Sequence, residues 1–464
     1  MIGRAAEQGL RRLLEAWSAL SVDAKAVGAL GALNWLLYLN NQTIVQATSD
    51  ELVWKLFPGP FGPLYLVVLG AVALAYPLRH LRQGARFTTR DRVLHVAALV
   101  VLFALVPAAA SIVLREASRP YAFVHDGAIM VEEAARKLLA GKNPYVADYL
   151  DTPLFFWPMV NNPALYHFTY FPFLFLVTIP FVAAFDAAGL FWDQRYLYLP
   201  AYVATIAIAP TLVRGADRRI ALAALVALNP QLLPFVAEGR NDYFVLAFFF
   251  AGLALLARDR TTLAALLFAV AAASKLHAGV FLPFLAVYVM ARARPATLGA
   301  AAHLLWRTFW PAGTFLLAAF LPFLINDLGA FWDDVVRYNA GGAAWSYPIS
   351  GLGFSALLLR LGVIEFPQQE FPFAVFQLAV AVPLAGWWLV RLWRDPSLAT
   401  LLAGYALTLL AFLFFGRYFH GNYLGYIAAV ATPILFLRPL PARQERRPPR
   451  PAALAAPRGL PSAR

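Results

Sequence analysis

The residues best suited to chemistry fall in a few short polar runs set into an otherwise apolar chain. The first run holds His125 and Asp126. A carboxylate just outside a bilayer can take a proton from a hydroxyl, which is the work of a general base. The same residue at a helix start can instead serve as an N-cap. His125 beside it either tunes that carboxylate or faces lipid headgroups. A second run, Glu238 to Asp242, packs Arg240, Asn241 and Asp242 into a tight turn between apolar segments. Charged groups at membrane depth are costly unless paired or functional, so the turn either orients a ligand or is shaped by Arg240 pairing with Glu238 or Asp242. Lys275 and His277 interrupt a long apolar run. A lysine there must snorkel, pair with an acid or bind an anion brought by a ligand. The last run holds Arg417, His420, Asn422 and Tyr423, and its guanidinium either grips a phosphate bidentately or snorkels to the interface.

Tyr145, Tyr149, Trp157, Tyr166 and Tyr170 form either an interfacial aromatic belt or faces on which sugar rings rest. Glu132 and Glu133 are expected on the solvated face of a helix that starts at Asp126. Its apolar residues Met130, Ala134 and Leu138 recur at helical spacing, and Gly141 to Pro144 stops it. His125, His167, His277 and His420 share the expected outer face, and Asp333 and Asp334 are adjacent. No HExxH-type spacing and no Asp-x-Asp near Asp126 accompany them, so neither a metal nor another cofactor is expected.

The elements that must hold these runs follow from composition. The chain has 464 residues, 61% hydrophobic and 14% charged, whereas soluble domains are about 25% charged. It reads as an all-α polytopic membrane protein. Apolar stretches recur from 24–40 to 422–438, and several fall short of the ~20 residues of a full span. Short or re-entrant helices are therefore expected, with about twelve crossings in all. The organisation is a cytoplasmic amphipathic N-terminus at 1–23, one transmembrane domain at 24–438, and a disordered basic tail at 439–464. No removable signal peptide and no internal repeat are evident.

The net charge of +13 is concentrated in the 79–92 loop and in the tail after Arg438. That distribution marks cytoplasmic loops and affinity for anionic lipids, and it excludes nucleic acid as the reason for the charge. The absence of cysteine excludes disulfides and thiolate metal sites. With 79–92 inside, a polar loop at 116–167 lies outside, together with 238–242, 275–277, 326–348 and 417–423. Two apolar segments separate that loop from Arg214, where the charges require an odd number of crossings. One of the two must re-enter or lie at the interface, and 349–363 requires the same device.

The order of motifs resembles a known family. Asp126, Gly-x-Asn-Pro-Tyr at 141–145, Tyr-Phe-Pro-Phe at 170–173, Glu-Gly-Arg-Asn-Asp at 238–242 and Ala-Ala-Ser-Lys at 272–275 are similar to the GT-C superfamily of polyprenyl-phosphate-sugar-dependent glycosyltransferases. Within it they resemble the mannosyltransferase group described as DUF2029, or glycosyltransferase family 87. Pro348 to Ser355 and the Arg417 loop extend the likeness over about 95–435. Two extra apolar segments before the acidic loop depart from the simplest layout of that family. The resemblance implies a GT-C-like bundle in the plasma membrane. It also implies metal-independent, inverting transfer of a hexose, commonly mannose, on the extracytoplasmic face. The partners would be a polyprenyl-phosphate sugar, a glycolipid or glycan acceptor, and membrane lipids, with a monomeric enzyme. It makes Asp126 the base and gives the donor phosphate to Lys275, His277, Arg417 and His420. The sugar or acceptor would meet His125, Tyr145, Tyr170, Arg240, Asn241, Asp242, Asn422 and Tyr423.

The rival expectation is a transporter or flippase of an anionic lipid-linked sugar, in which buried cations mark the path. The long acidic outer loop and the missing repeat oppose it. A non-catalytic scaffold leaves the meeting of acids and cations on one side unexplained.

Overall fold

The computed structural model describes residues 14–40 and 56–437, together with Glu7 and Arg11. The tail at 439–464 and most of the segment before residue 14 lie outside the described residues. What is described is mostly helical, and its strand content is one short parallel pairing of Ser350–Gly351 with Tyr418–Phe419.

Among the described residues five helices are long and apolar enough to cross a membrane: Phe61–Arg86, Thr89–Ala117, Leu276–Ala293, Leu298–Asn326 and Phe373–Arg394. Their surfaces fit that role. Only 22% of the apolar window of Leu298–Asn326 and 11% of that of Phe373–Arg394 are buried, leaving Trp306, Leu317, Ile325 and Trp387 facing outward. Apolar surface on this scale belongs in lipid. The chain is a membrane protein. Four shorter apolar helices, Phe173–Ala187, Asp242–Leu256, Thr261–Ser274 and Leu398–Phe414, complete much of the bundle.

The outer helix Asp126–Leu139 starts and stops for local reasons. His125 is its N-cap residue, in extended backbone, so Asp126 is the first helical residue and not the cap. At the other end Gly141 takes φ +76, the Gly141 amide bonds Leu138 O and the Lys142 amide bonds Lys137 O. This is a Schellman stop, which glycine accommodates because it has no Cβ. The solvated face expected for Glu132 is not found. Glu132 is 2% exposed and meets Arg115 through two bonds of 2.9 and 2.7 Å, while Glu133 pairs with Arg136 at 2.8 Å. The periodicity located the helix, but a partner at the end of Thr89–Ala117 covers what looked like its wet side.

Arg115 also bonds Asp193 at 2.8 Å, and Asp193 holds Arg195 at 2.7 Å, so four buried charges of opposite sign neutralise one another. The Gln194 amide adds a bond to Glu132 at 2.8 Å. The quartet thus joins the end of Thr89–Ala117, the middle of the outer helix and the start of Arg195–Ile208.

Further contacts tie helix Phe173–Ala187 to the same place. Tyr170, just before helix Phe173–Ala187, lies over Gly127 at the head of the outer helix. Asp186, near the end of Phe173–Ala187, pairs with Arg136 at 3.1 Å. Asp193 then returns to Arg115. Both ends of Phe173–Ala187 therefore lie against the helix that starts at Asp126. In 349–363 the only helix is Phe354–Arg360, seven residues long and too short to cross.

Removing one member of the quartet leaves a buried charge unpaired, which costs about 3–5 kcal/mol. Glu132→Gln is therefore expected to lower the thermal midpoint of the protein in detergent. An Arg115→Met/Glu132→Met variant, which removes a charge of each sign, is expected to recover most of the loss; an equal or larger loss would exclude charge imbalance as the cause.

Candidate active site

A cavity of about 550 Å³ opens beneath the outer helix, and every expected site residue except Tyr145 borders it. Its volume lies within the range of small-molecule sites. One end is polar, formed by the His125 run, the 239–242 turn and the Lys275 and Arg417 runs. The rest of the lining is largely apolar: Phe320 and Leu378 come from the two spans most exposed to lipid, and Trp332, Val336 and Leu413 from neighbouring segments.

Asp126 lies 8% exposed at the polar end. Its Oδ1 accepts the Gly127 amide at 2.7 Å and lies 2.7 Å from His125 Nδ1. The Gly127 amide also lies 3.0 Å from His125 Nδ1, so one amide reaches both side chains of the pair. Oδ2 makes no bond to a protein atom among the described residues. Burial by itself would raise the Asp126 carboxyl, but the His125 ring, the Arg240 charge and the Gly127 amide outweigh it and hold the group below the usual carboxylate range.

The 238–242 turn is built by Gly239, which ends helix Leu233–Glu238 at φ +79. Arg240 Nε donates to Glu238 Oε2 at 2.8 Å, and the guanidinium lies 4.1 Å from the Phe235 ring centroid. The Arg240–Glu238 pair that could shape the turn is therefore present. Both Nη groups of Arg240 donate to no protein atom among the described residues. Next to it, Lys275 Nζ donates to Asp242 Oδ1 at 2.7 Å and Asn241 Oδ1 at 2.8 Å, and it lies over the Tyr423 ring. Asp242 Oδ2 accepts Asn422 Nδ2 at 3.0 Å. Lys275 has thus found an acid and keeps one donor. His277 is 4% exposed, packs 4.3 Å from the Tyr426 ring centroid, and has an Nε2 with no partner.

The geometry gives three expected residues different surroundings. Arg417 reaches the cavity wall but spends its guanidinium on backbone carbonyls: Tyr347 O, Gln369 O at 2.9 Å, Gln368 O at 3.1 Å and Pro367 O at 3.2 Å. Here it clamps the 347–369 loop and is not open to an anion. Tyr145 is 3% exposed among Phe168, Phe323 and Phe331, and its hydroxyl donates to Tyr170 O at 2.9 Å. It supports Tyr170, which does line the cavity. His420 is pushed down to about 4 by burial and then by the Arg240 and His125 charges, so it is neutral at pH 7. A fixed cation is not available from it.

Tyr338, Tyr347 and Asn339 also line the cavity and were not singled out by sequence reasoning. The polar break at 338–347 between apolar segments was the signal that could have found them. His167, Asp333 and Asp334 have ligand atoms within 4.8 Å of one another, a grouping that could hold a metal ion. Their bonds already join the 167–168 loop to the helical segment Asp333–Arg337: His167 Nδ1 lies 2.7 Å from Asp334 Oδ1, and Asp334 Oδ2 accepts the Phe168 amide at 2.8 Å.

Residues 136–291 match the model of the MptA_B family, described as alpha-(1->6)-mannopyranosyltransferase, N-terminal domain. This match supports a glycosyltransferase of a mannosyltransferase family. It spans the 238–242 turn, Lys275 and His277, and it begins ten residues after Asp126. The matched family carries a different description from the DUF2029 group that the motif order resembles. A comparison with curated proteins gave no match.

A methyl group at 127 would strike the Tyr170 hydroxyl oxygen and crowd Tyr170 Cζ at 3.1 Å. Gly127→Ala is expected to lower the thermal midpoint, and adding Tyr170→Phe, which removes the struck oxygen, to restore part of it. Equal midpoints for Gly127→Ala and the parent would show that Tyr170 does not press on Gly127.

Proposed function

We propose that this protein transfers mannose from a polyprenyl-phosphate donor to a hydroxyl of a lipid- or glycan-linked acceptor, with inversion, on the extracytoplasmic face of the plasma membrane. In this reading the short helices count as passes, and the chain crosses in about twelve, GT-C-like. The observation that carries it is one cavity holding a buried carboxylate with an uncommitted oxygen, an arginine with uncommitted donors, and a largely apolar remainder lined in part by lipid-exposed spans.

The chemistry follows from those groups. Asp126 Oδ2 takes the acceptor proton as the acceptor oxygen attacks the anomeric carbon. The bond from that carbon to the phosphate oxygen breaks, and its electron pair leaves with the phosphate. Attack opposite the leaving group inverts the centre. Charge grows on the departing phosphate, where fixed donors in a site poor in water stabilise it most. Arg240 takes the phosphate role first expected of Arg417, because its Nη groups are open and those of Arg417 are spent. The remaining donor of Lys275 adds to it, while His277 and Asn422, each with an unpartnered buried atom, suit the sugar hydroxyls. The apolar lining suits the first prenyl units.

Asp126→Asn in purified, folded protein should reduce transfer from a synthetic polyprenyl-phosphate mannose by about 10²–10⁴-fold, the usual contribution of a general base. Undiminished transfer by both Asp126→Asn and Asp126→Ala would remove Asp126 as the base, and a parent protein inactive with every such donor would favour transport. The pH dependence has a definite sign. Because the Asp126 carboxyl loses its proton below the usual carboxylate range, the ionised base is present throughout pH 5–8. The profile of kcat/KM, which reports the free enzyme, should therefore show no acid limb from Asp126 in that interval.

A further inference from the structure

Arg195 lies outside the cavity, is 0% exposed, and takes no part in the chemistry above. A buried guanidinium is costly unless its charge and donors are satisfied, so the use of each donor is informative. Two are spent on its counter-ion: Nε on Asp193 Oδ1 at 2.8 Å and Nη2 on Asp193 Oδ2 at 2.7 Å. The third nitrogen, Nη1, bridges two chain segments, donating to Phe123 O at 2.9 Å and to Ala237 O at 2.6 Å. Phe123 lies three residues before Asp126, and Ala237 lies three before Arg240.

Phe123 is held in a conformation that its side chain does not favour. Its φ is +57, in the left-handed region that a bulky non-glycine residue disfavours. Such a conformation persists where neighbours determine it, and here they do so at consecutive residues. Phe123 O is taken by Arg195, Val124 O accepts Trp157 Nε1 at 3.0 Å, and the His125 amide donates to Glu238 O at 2.9 Å. On the other side, a Cβ at Gly239 would lie 3.0 Å from Arg195 Cγ, so the arginine stem fills the space beneath the turn.

We propose that Arg195 is a positioning residue that sets the His125–Asp126 pair against the 238–242 turn by gripping the backbone of both with one guanidinium. This rests on Asp126 being the base. The planar fork is what permits it: two nitrogens hold the carboxylate while the third faces the two carbonyls. Lysine keeps the charge but has a single nitrogen, so it cannot do both. The buried quartet, beyond its structural part, thus determines where the base stands relative to the open guanidinium of Arg240.

The test uses full-length protein in lipid nanodiscs, with Arg195→Lys compared with the parent by two readouts. One is steady-state transfer from polyprenyl-phosphate mannose. The other is the ring-nitrogen NMR signal of His125 in protein labelled with ¹⁵N-histidine, assigned by its loss in His125→Gln, with the distant His303 as reference. A misplaced base should reduce kcat at least about tenfold with the donor KM held, since displacement of reacting groups by 1 Å can cost about 10²-fold. Combined with Asp126→Asn, Arg195→Lys should then cost little further, because both act through one group. The His125 signal should move and that of His303 should not. An unchanged kcat, or an unmoved His125 signal, overturns the inference. Phe123→Val, which leaves every charge in place but disfavours the left-handed backbone, is judged by the same two outcomes and decides the matter if Arg195→Lys does not fold. If the parent transfers from no donor, the functional reading fails separately and the His125 signal alone decides whether Arg195 positions this segment.

Discussion

Four buried charges, Arg115, Glu132, Asp193 and Arg195, form the contact on which the arrangement of helix Asp126–Leu139 and its neighbours depends. Each charge is costly to withdraw from water, and the group is tolerable because its signs cancel and most of its donors have acceptors. The geometric consequence is larger than the energetic one. A membrane span, an amphipathic helix, the start of the next helix and the turn before Asp242 are held at one point. An apolar contact of the same size would resist separation, but it would not specify direction as paired donors and acceptors do.

Around that point the site separates cations by what they are already bonded to. Lys275 is engaged by Asp242 and Asn241, and Arg417 is filled with carbonyl oxygens, so both act first on the protein itself. Arg240 has only its Nε committed. In a cavity with little water, donors left unpaired toward the open space are the ones with most to gain from an arriving anion. A carboxylate with an unbonded oxygen stands near them, and apolar residues, Phe320 and Leu378 of the lipid-exposed spans among them, line the rest of the cavity.

Much of the site was legible because its polar runs interrupt apolar segments, and interruptions of that kind are costly without a use. His125, Asp126, the 240–242 turn, Lys275 and His277 stood out for that reason, and they converge. Arg195, Arg115 and Glu132 did not stand out. Arg115 meets Asp193 78 residues away, and Arg195, though paired with Asp193 two residues before it, also holds carbonyls 72 and 42 residues distant, while periodicity within one helix assigned Glu132 to the wet face. Arg417 was visible as a charge, but nothing local revealed that the 367–369 backbone would occupy its donors. Tyr145 was visible as an aromatic at the interface, and only its neighbours Phe168, Phe323 and Phe331 show that it lies inside.

Composition and the positions of the apolar stretches were enough to make this a mostly helical membrane protein, because a backbone in lipid must satisfy its own hydrogen bonds and needs long apolar surfaces to stay there. The start and stop of the outer helix were likewise local, written in a period of 3.6 and in Gly141. Tertiary structure alone decided that Phe173–Ala187 lies along the helix that starts at Asp126, which charges are neutralised by distant partners, and which cations remain open. Those outcomes depend on where a side chain's partner lies in space. Hydrogen bonds and ion pairs act over a few ångströms, whereas the order of residues fixes separation only along the chain.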